Sequence, residues 1–267
     1  MSFVTVDGVK LYFRIDGPDD APVVMFANAL GTDHSMWDRQ TADFASVFRI
    51  VRHDSRGHGK SGTTPGPYSI ELLGNDLLAL LDALEISRAH VCGSSTGGMV
   101  AQWLAIHHGD RVERAVFAST AARIGNKQLW DERAEAVASG GMAAVKEQVM
   151  RRLLTDAFRK RDPDTTREIA AALESCSPEG YVATCHALRD ADFTELVGDI
   201  KVPALVVVGA DDVATPPTDA KWLHEHINHS ELIVLDDAAH LCCVEQPDLF
   251  TAATLDFLTS DRDGGSA

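Results

Sequence analysis

Apolar residues along the first 120 positions gather in short β-rich runs separated by longer stretches with helical spacing. Phe3–Val6 and Leu11–Ile15 flank Asp7-Gly8, a pair that favours a two-residue hairpin turn, so the chain is predicted to open with a hairpin. Val23–Ala27, Phe48–His53, Ala89–Cys92 and Ala115–Ala118 read as buried strands. Between them Met36–Phe44, Ile70–Leu84 and Gly97–His107 read as crossover helices, which predicts a parallel sheet. After Thr120 the alternation gives way to helical spacing over Leu129–Ala138, Met142–Leu154, Thr165–Leu173 and Gly180–Leu188. Ser139-Gly140-Gly141 and Ser177-Pro178 are breaks between these helices. Strand and helix alternate again with Val202–Val208, a helix near Thr218–His226, Leu232–Leu235 and a last helix over Pro247–Leu258. The expected division is a core of residues 1–120 and 200–260, a helical cap over 121–199, and a flexible polar tail at 261–267.

Composition narrows the function classes. The 267 residues suffice for one large α/β domain with an insertion, and no apolar run approaches the roughly 18 residues that span a bilayer. The first residues lack the basic and apolar regions of a signal peptide, so a cytoplasmic protein without a membrane partner is expected. Five cysteines, two of them adjacent (Cys242-Cys243), read as reduced thiols. A formal charge of −16 argues against nucleic acid as a partner. Within this acidic chain, Arg123 to Arg161 holds nine Lys/Arg against five Asp/Glu.

Gly93-Ser94-Ser95-Thr96-Gly97, between a predicted strand and a predicted helix, is a G-x-S-x-G nucleophile elbow. The sharp turn lifts Ser95 out of the fold and aims the Thr96 amide at developing negative charge. Such a serine needs a base and an acid from later strand ends. Asp212 follows the strand ending at Val208, with Asp211 as competitor, and His240 follows the last strand. The order Ser95, Asp212, His240 is that of the α/β-hydrolase fold. The expected class is therefore α/β: a mostly parallel eight-stranded sheet flanked by helices, with an inserted helical cap. Asn28-Ala29-Leu30-Gly31 follows the third strand, and the Leu30 amide is the expected second oxyanion donor beside Thr96.

Other clusters have plainer readings. Asp54 to Gly59 reads as a structural turn with ion pairing, and Glu245 as a helix-start carboxylate. His224, His226 and His229 lack a closed ligand set and read as surface residues, so no metal is expected. The elbow lacks a P-loop lysine and the G-x-G-x-x-G register, which disfavours a nucleotide loop. Trp130 and Arg133, three apart on the first cap helix, share a face and offer an aromatic wall and a cation suited to a carboxylate. The plainer alternative is a packed tryptophan with a solvated arginine.

Asn28-Ala29-Leu30-Gly31-Thr32-Asp33-His34-Ser35-Met36-Trp37, Asp54-Ser55-Arg56-Gly57-His58-Gly59, the elbow, Thr120-Ala121-Ala122-Arg123-Ile124-Gly125 and Glu179-Gly180-Tyr181 together resemble 3-oxoadipate enol-lactonases from about Phe3 to Leu258. The elbow and triad belong to the whole superfamily, whereas the 30–37 and 120–125 runs are narrower. The resemblance implies cofactor-free opening of a small anionic lactone in bacterial protocatechuate and catechol degradation. It also gives the basic cap segment a purpose, with Arg133, Arg123 and Lys127 all open as the carboxylate partner. Thr96 after the nucleophile, Ser94 before it and Ala238-Ala239 before the histidine depart from the usual pattern and put pocket shape in question. A related esterase, a carbon–carbon hydrolase, a cofactor-free perhydrolase or a ligand receptor on the same fold are the alternatives.

Overall fold

The structure, a computed structural model, describes residues 2–260. The tail expected at 261–267 lies outside the described residues. An eight-stranded sheet of order β1-β2-β4-β3-β5-β6-β7-β8 forms the centre. Its strands are β1 (Ser2–Val6), β2 (Val9–Asp16), β3 (Val23–Ala27), β4 (Arg49–His53), β5 (Ala89–Ser94), β6 (Val112–Ala118), β7 (Ala204–Gly209) and β8 (Ser230–Leu235). β1 runs antiparallel to β2 and β2 to β4, while every pairing from β4 onward is parallel. The hairpin forms as predicted, with Asp7 and Gly8 at φ 45° and 80° and Val6 facing Val9. Two left-handed residues match the right-handed twist of the flanking strands.

The central strands β5 and β7 are buried along their whole length, as parallel strands covered on both faces must be. The helices serving the sheet are α1 (Asp38–Phe44), α2 (Ile70–Ala83) and α3 (Thr96–His107) in the first half of the chain. α3 packs on β3, β5 and β6 and buries every residue from Thr96 to Ala105, so it is covered around its whole girth.

Between β6 and β7 lie α4 (Lys127–Gly140), α5 (Lys146–Leu153), α6 (Asp156–Arg161), α7 (Pro163–Ser175) and α8 (Pro178–Asp190). α4 packs against α8, and α7 packs against both α5 and α6. The single helix expected over Met142–Leu154 is instead a 3-10 turn, Met142–Ala144, followed by α5. α6 was not anticipated: it is six residues long, only Phe158 is buried, and so it presents no apolar period. Its start is set by Thr155, whose hydroxyl accepts the Phe158 amide at 3.0 Å. The chain closes with α9 (Pro217–His226), the short α10 (Cys242–Glu245) and α11 (Pro247–Thr259). Among the described residues no helix is long and apolar enough to cross a membrane, and all five cysteines are free and buried.

Candidate active site

Ser95 sits between β5 and α3 at φ 55°, ψ −114°, a conformation that side chains other than glycine rarely adopt. The flanking glycines are there for space. A Cβ on Gly93 would stand 2.1 Å from the Gly97 carbonyl oxygen, and one on Gly97 would stand 2.2 Å from that of Ala27. This crowding lets the Gly97 amide donate to the Asn28 carbonyl at 3.0 Å, which brings the loop after β3 against the first turn of α3.

The same loop carries Leu30. The Thr96 amide, in the first turn of α3, has no intrahelical acceptor, and among the described residues neither it nor the Leu30 amide meets another acceptor. Both candidate oxyanion donors are therefore unspent. The Asn28 side chain does more than line this loop. Its Nδ2 donates to the His53 carbonyl at 2.6 Å and its Oδ1 accepts from the Trp37 indole at 2.9 Å. Asn28 thus ties the loop to β4 and to the far end of its own run, a role that spacing alone does not signal.

Asp212 follows β7 and is 2 % exposed; His240 follows β8 and is 5 % exposed. The His240 Nδ1 lies 2.8 Å from Asp212 Oδ2, which also accepts the Thr215 hydroxyl at 2.8 Å. Asp212 Oδ1 accepts the Ala214 and Thr215 amides at 2.8 and 3.0 Å. Burial pushes this carboxyl upward, but His240 and the Thr215 donors outweigh it and leave the pKa below the ordinary carboxylate range. A carboxylate so held makes Nδ1 the protonated nitrogen and leaves Nε2 free to act as a base. Asp211, the competing acid, is exposed.

Ser95 and His240 line one cavity, roofed by helices of the β6–β7 insertion. Leu30, Trp130, Arg133, Arg152 and Tyr181 also face it. Trp130 is fixed by its indole N–H, which donates to the Ile124 carbonyl at 2.6 Å, and the Arg133 Cζ stands 5.2 Å from its ring centre. Tyr181 reaches the cavity because α8 crosses the loop after β4 at close range: a Cβ on Gly57 would lie 2.6 Å from the Gly180 Cα. The Arg56-Gly57 and Gly180-Tyr181 motifs thus meet at one backbone crossing.

The basic segment needs a correction. Arg123 is exposed and pairs with Asp192 at 3.3 Å, and Lys127 is exposed. Lys146, Arg151 and Arg159 are likewise paired with carboxylates at the surface. The excess of charge over 123–161 is therefore mostly solvated face, and the cavity receives only Arg133 and Arg152 from it. Arg152 escaped the sequence reading because its neighbour Arg151 makes the position look like surface charge.

Glu245 also departs from expectation. Its carboxylate caps no helix of its own; it accepts the Ala239 amide at 2.8 Å and the Thr155 hydroxyl at 2.6 Å. The turn after β4 is structural, as read: Arg56 forms a buried two-pronged pair with Asp76 at 2.8 and 2.5 Å. Asp54 accepts His34 Nδ1 at 2.7 Å, the His34 amide at 2.8 Å and the Lys60 amide at 2.7 Å. Asp33, His34 and Asp54 lie close together, but those bonds already engage both Asp54 oxygens. His224 and His226 hydrogen-bond locally, to Ser230 and to the Trp222 carbonyl.

A family model described as alpha/beta hydrolase fold matches residues 22–247. Two proteins of Acinetobacter baylyi, named 3-oxoadipate enol-lactonase 2 and 3-oxoadipate enol-lactonase 1, are 41 % and 37 % identical to the chain. The matches cover 94 % and 95 % of this chain and 93 % and 94 % of those proteins. The crystal structure of the enol-lactonase from Burkholderia xenovorans LB400 superposes with a TM-score of 0.96 at 40 % identity, covering 97 % of this chain and all of that one.

Proposed function

The chain belongs to the alpha/beta hydrolase fold family and is a carboxylic-ester hydrolase, and from that premise we propose that it opens 3-oxoadipate enol-lactone to 3-oxoadipate, the step that its enol-lactonase relatives' names describe. The observation that carries this reading is the cavity itself. It joins Ser95 and the Asp212-bound His240 to an arginine-bearing wall suited to an anionic substrate.

In this mechanism His240 Nε2 takes the Ser95 proton as Oγ attacks the lactone carbonyl carbon. The Leu30 and Thr96 amides receive the oxyanion, and Asp212 stabilises the imidazolium. Collapse breaks the carbonyl–ring-oxygen bond. The leaving enolate stays tethered to the acyl group and takes the proton from His240, reaching the ketone and losing the power to re-close. A water, deprotonated by His240, then adds to the acyl carbon, and the Ser95 oxygen leaves with that proton. Trp130 and Arg133 position the substrate, Arg133 by pairing with its free carboxylate. No cofactor enters the scheme, and its natural setting is protocatechuate and catechol degradation.

The test is loss of the enol-lactone's ultraviolet absorbance on addition of purified protein, beside neutral aryl esters. Turnover of the lactone at a rate well above the esters supports the reading; a lactone rate equal to that in buffer, with ester cleavage retained, would replace it with a general esterase.

A further inference from the structure

Arg133 enters the cavity from α4 and Arg152 from α5, two helices separated by a turn. Neither guanidinium has a carboxylate partner among the described residues, in a chain that carries 40 acidic side chains. Among the described residues, Arg133 Nε and Nη2 are buried with no acceptor in good hydrogen-bond geometry. Other arginines of the β6–β7 insertion behave differently: Arg151, Arg159 and Arg189 each hold an aspartate or glutamate within 2.8 Å.

The two cations also feel each other. Burial pulls the Arg152 pKa down, and the Arg133 charge pulls it further. Asp212 is the acidic group whose field reaches Arg152, yet both its oxygens are already engaged by Thr215, Ala214 and His240. Tyr181, the remaining polar group on this wall, is pushed up by burial and stays a neutral phenol. Among the described residues its hydroxyl makes no hydrogen bond of good geometry, and the nearby Arg133 guanidinium opposes the upward shift. Two like charges held in a partly dry wall cost stability unless a counter-charge arrives. Here none of the surrounding side chains can supply it.

We propose that Arg152 completes, with Arg133, a two-guanidinium subsite that takes the free carboxylate of the substrate, and that simple dicarboxylates compete for it. This rests on the enol-lactone reading for the substrate, though the subsite's anion preference does not. Two planar forks from different helices can each engage one carboxylate oxygen, which fixes the acid's direction as well as its charge. The hydrolysis product keeps the same carboxylate and gains another at the Ser95 end, so product and other six-carbon diacids are expected to inhibit.

The probes are adipate and its neutral dimethyl ester, titrated calorimetrically into Ser95→Ala protein and used as inhibitors of aryl acetate cleavage by the intact enzyme. Adipate is expected to bind and inhibit competitively, and Arg152→Met to weaken its binding at least tenfold, with Arg152→Lys recovering part of the loss. On the lactone, Arg152→Met is expected to raise KM at least tenfold with kcat changed far less, and to lower the ratio of lactone to aryl acetate kcat/KM by a similar factor. Adipate binding and lactone KM that do not respond to Arg152→Met, in protein that melts as the parent does, would overturn the subsite. Adipate binding that depends on Arg152 in an enzyme that leaves the lactone untouched would uphold the subsite and overturn the substrate.

Discussion

The carboxylate of Glu245 accepts a hydrogen bond from the amide of Ala239, the residue just before His240, at 2.8 Å. The same side chain accepts the Thr155 hydroxyl at 2.6 Å and the Thr155 amide at 3.1 Å, so it joins the histidine loop to the start of α6. Burial raises its pKa, and the Thr155 and Ala239 donors oppose that shift. Glu245→Ala leaves those donors unpaired, and the expected loss of stability is about 2–4 kcal/mol. Urea unfolding checks that figure. Because the defect acts through His240, kcat/KM is expected to fall by similar factors on lactone and neutral esters, and a loss confined to the lactone would contradict this role.

Asp212→Asn keeps the shape of the acid but offers His240 a poorer partner and removes the charge that stabilises the imidazolium. A fall in kcat of about 10⁴-fold is expected, with the fold intact by circular dichroism. A loss of under tenfold would hand the role to another acid, with Asp211 the first to replace in the same assay.

Arg133 and Arg123 separate the cavity from the surface. Arg133→Ala is expected to lower lactone kcat/KM at least tenfold more than that for an aryl acetate. Arg123, exposed beside Asp192, is expected to tolerate alanine within a factor of two on both substrates. Parallel steady-state kinetics on the two variants decide the matter.

His53 sets an acid limit on stability. It is fully buried, its Nδ1 lies 3.1 Å from the Phe26 carbonyl, and burial lowers its pKa from 6.5 to about 4. Between those values the unfolded chain binds a proton that the native chain refuses, so stability rises with pH and is lost as pH falls from 6.5 toward 4. The contribution is about 3 kcal/mol. Denaturant melts at pH 7 and pH 4.5 are expected to differ less in His53→Gln than in the parent, and an equal difference would move the cause to other groups.

The hairpin, the strand–helix alternation, the elbow and the order of its partners were legible because each rests on short-range rules: turn chemistry, period and the chain order of strand ends. Asp212 could be preferred to Asp211, but only the buried geometry distinguishes a carboxylate facing His240 from one facing water. α6 and α10 went unread because pieces of six and four residues present no apolar period. Arg152, Glu245 and Asn28 were missed or misread for a common reason. Each of Asn28 and Glu245 has at least one partner well away in sequence, and Arg152 has no carboxylate partner among the described residues; a charged or amide side chain looks the same in sequence whether it meets solvent, a backbone group or a cavity.

At Ser95 the backbone is held at φ 55°, where any side chain carries a conformational penalty on the order of 1–3 kcal/mol. A glycine there would relax the turn and remove the nucleophile in the same stroke. The fold's most stable sequence and its working sequence therefore differ at this position, and selection for robustness alone would push the chain toward an inert relative of itself.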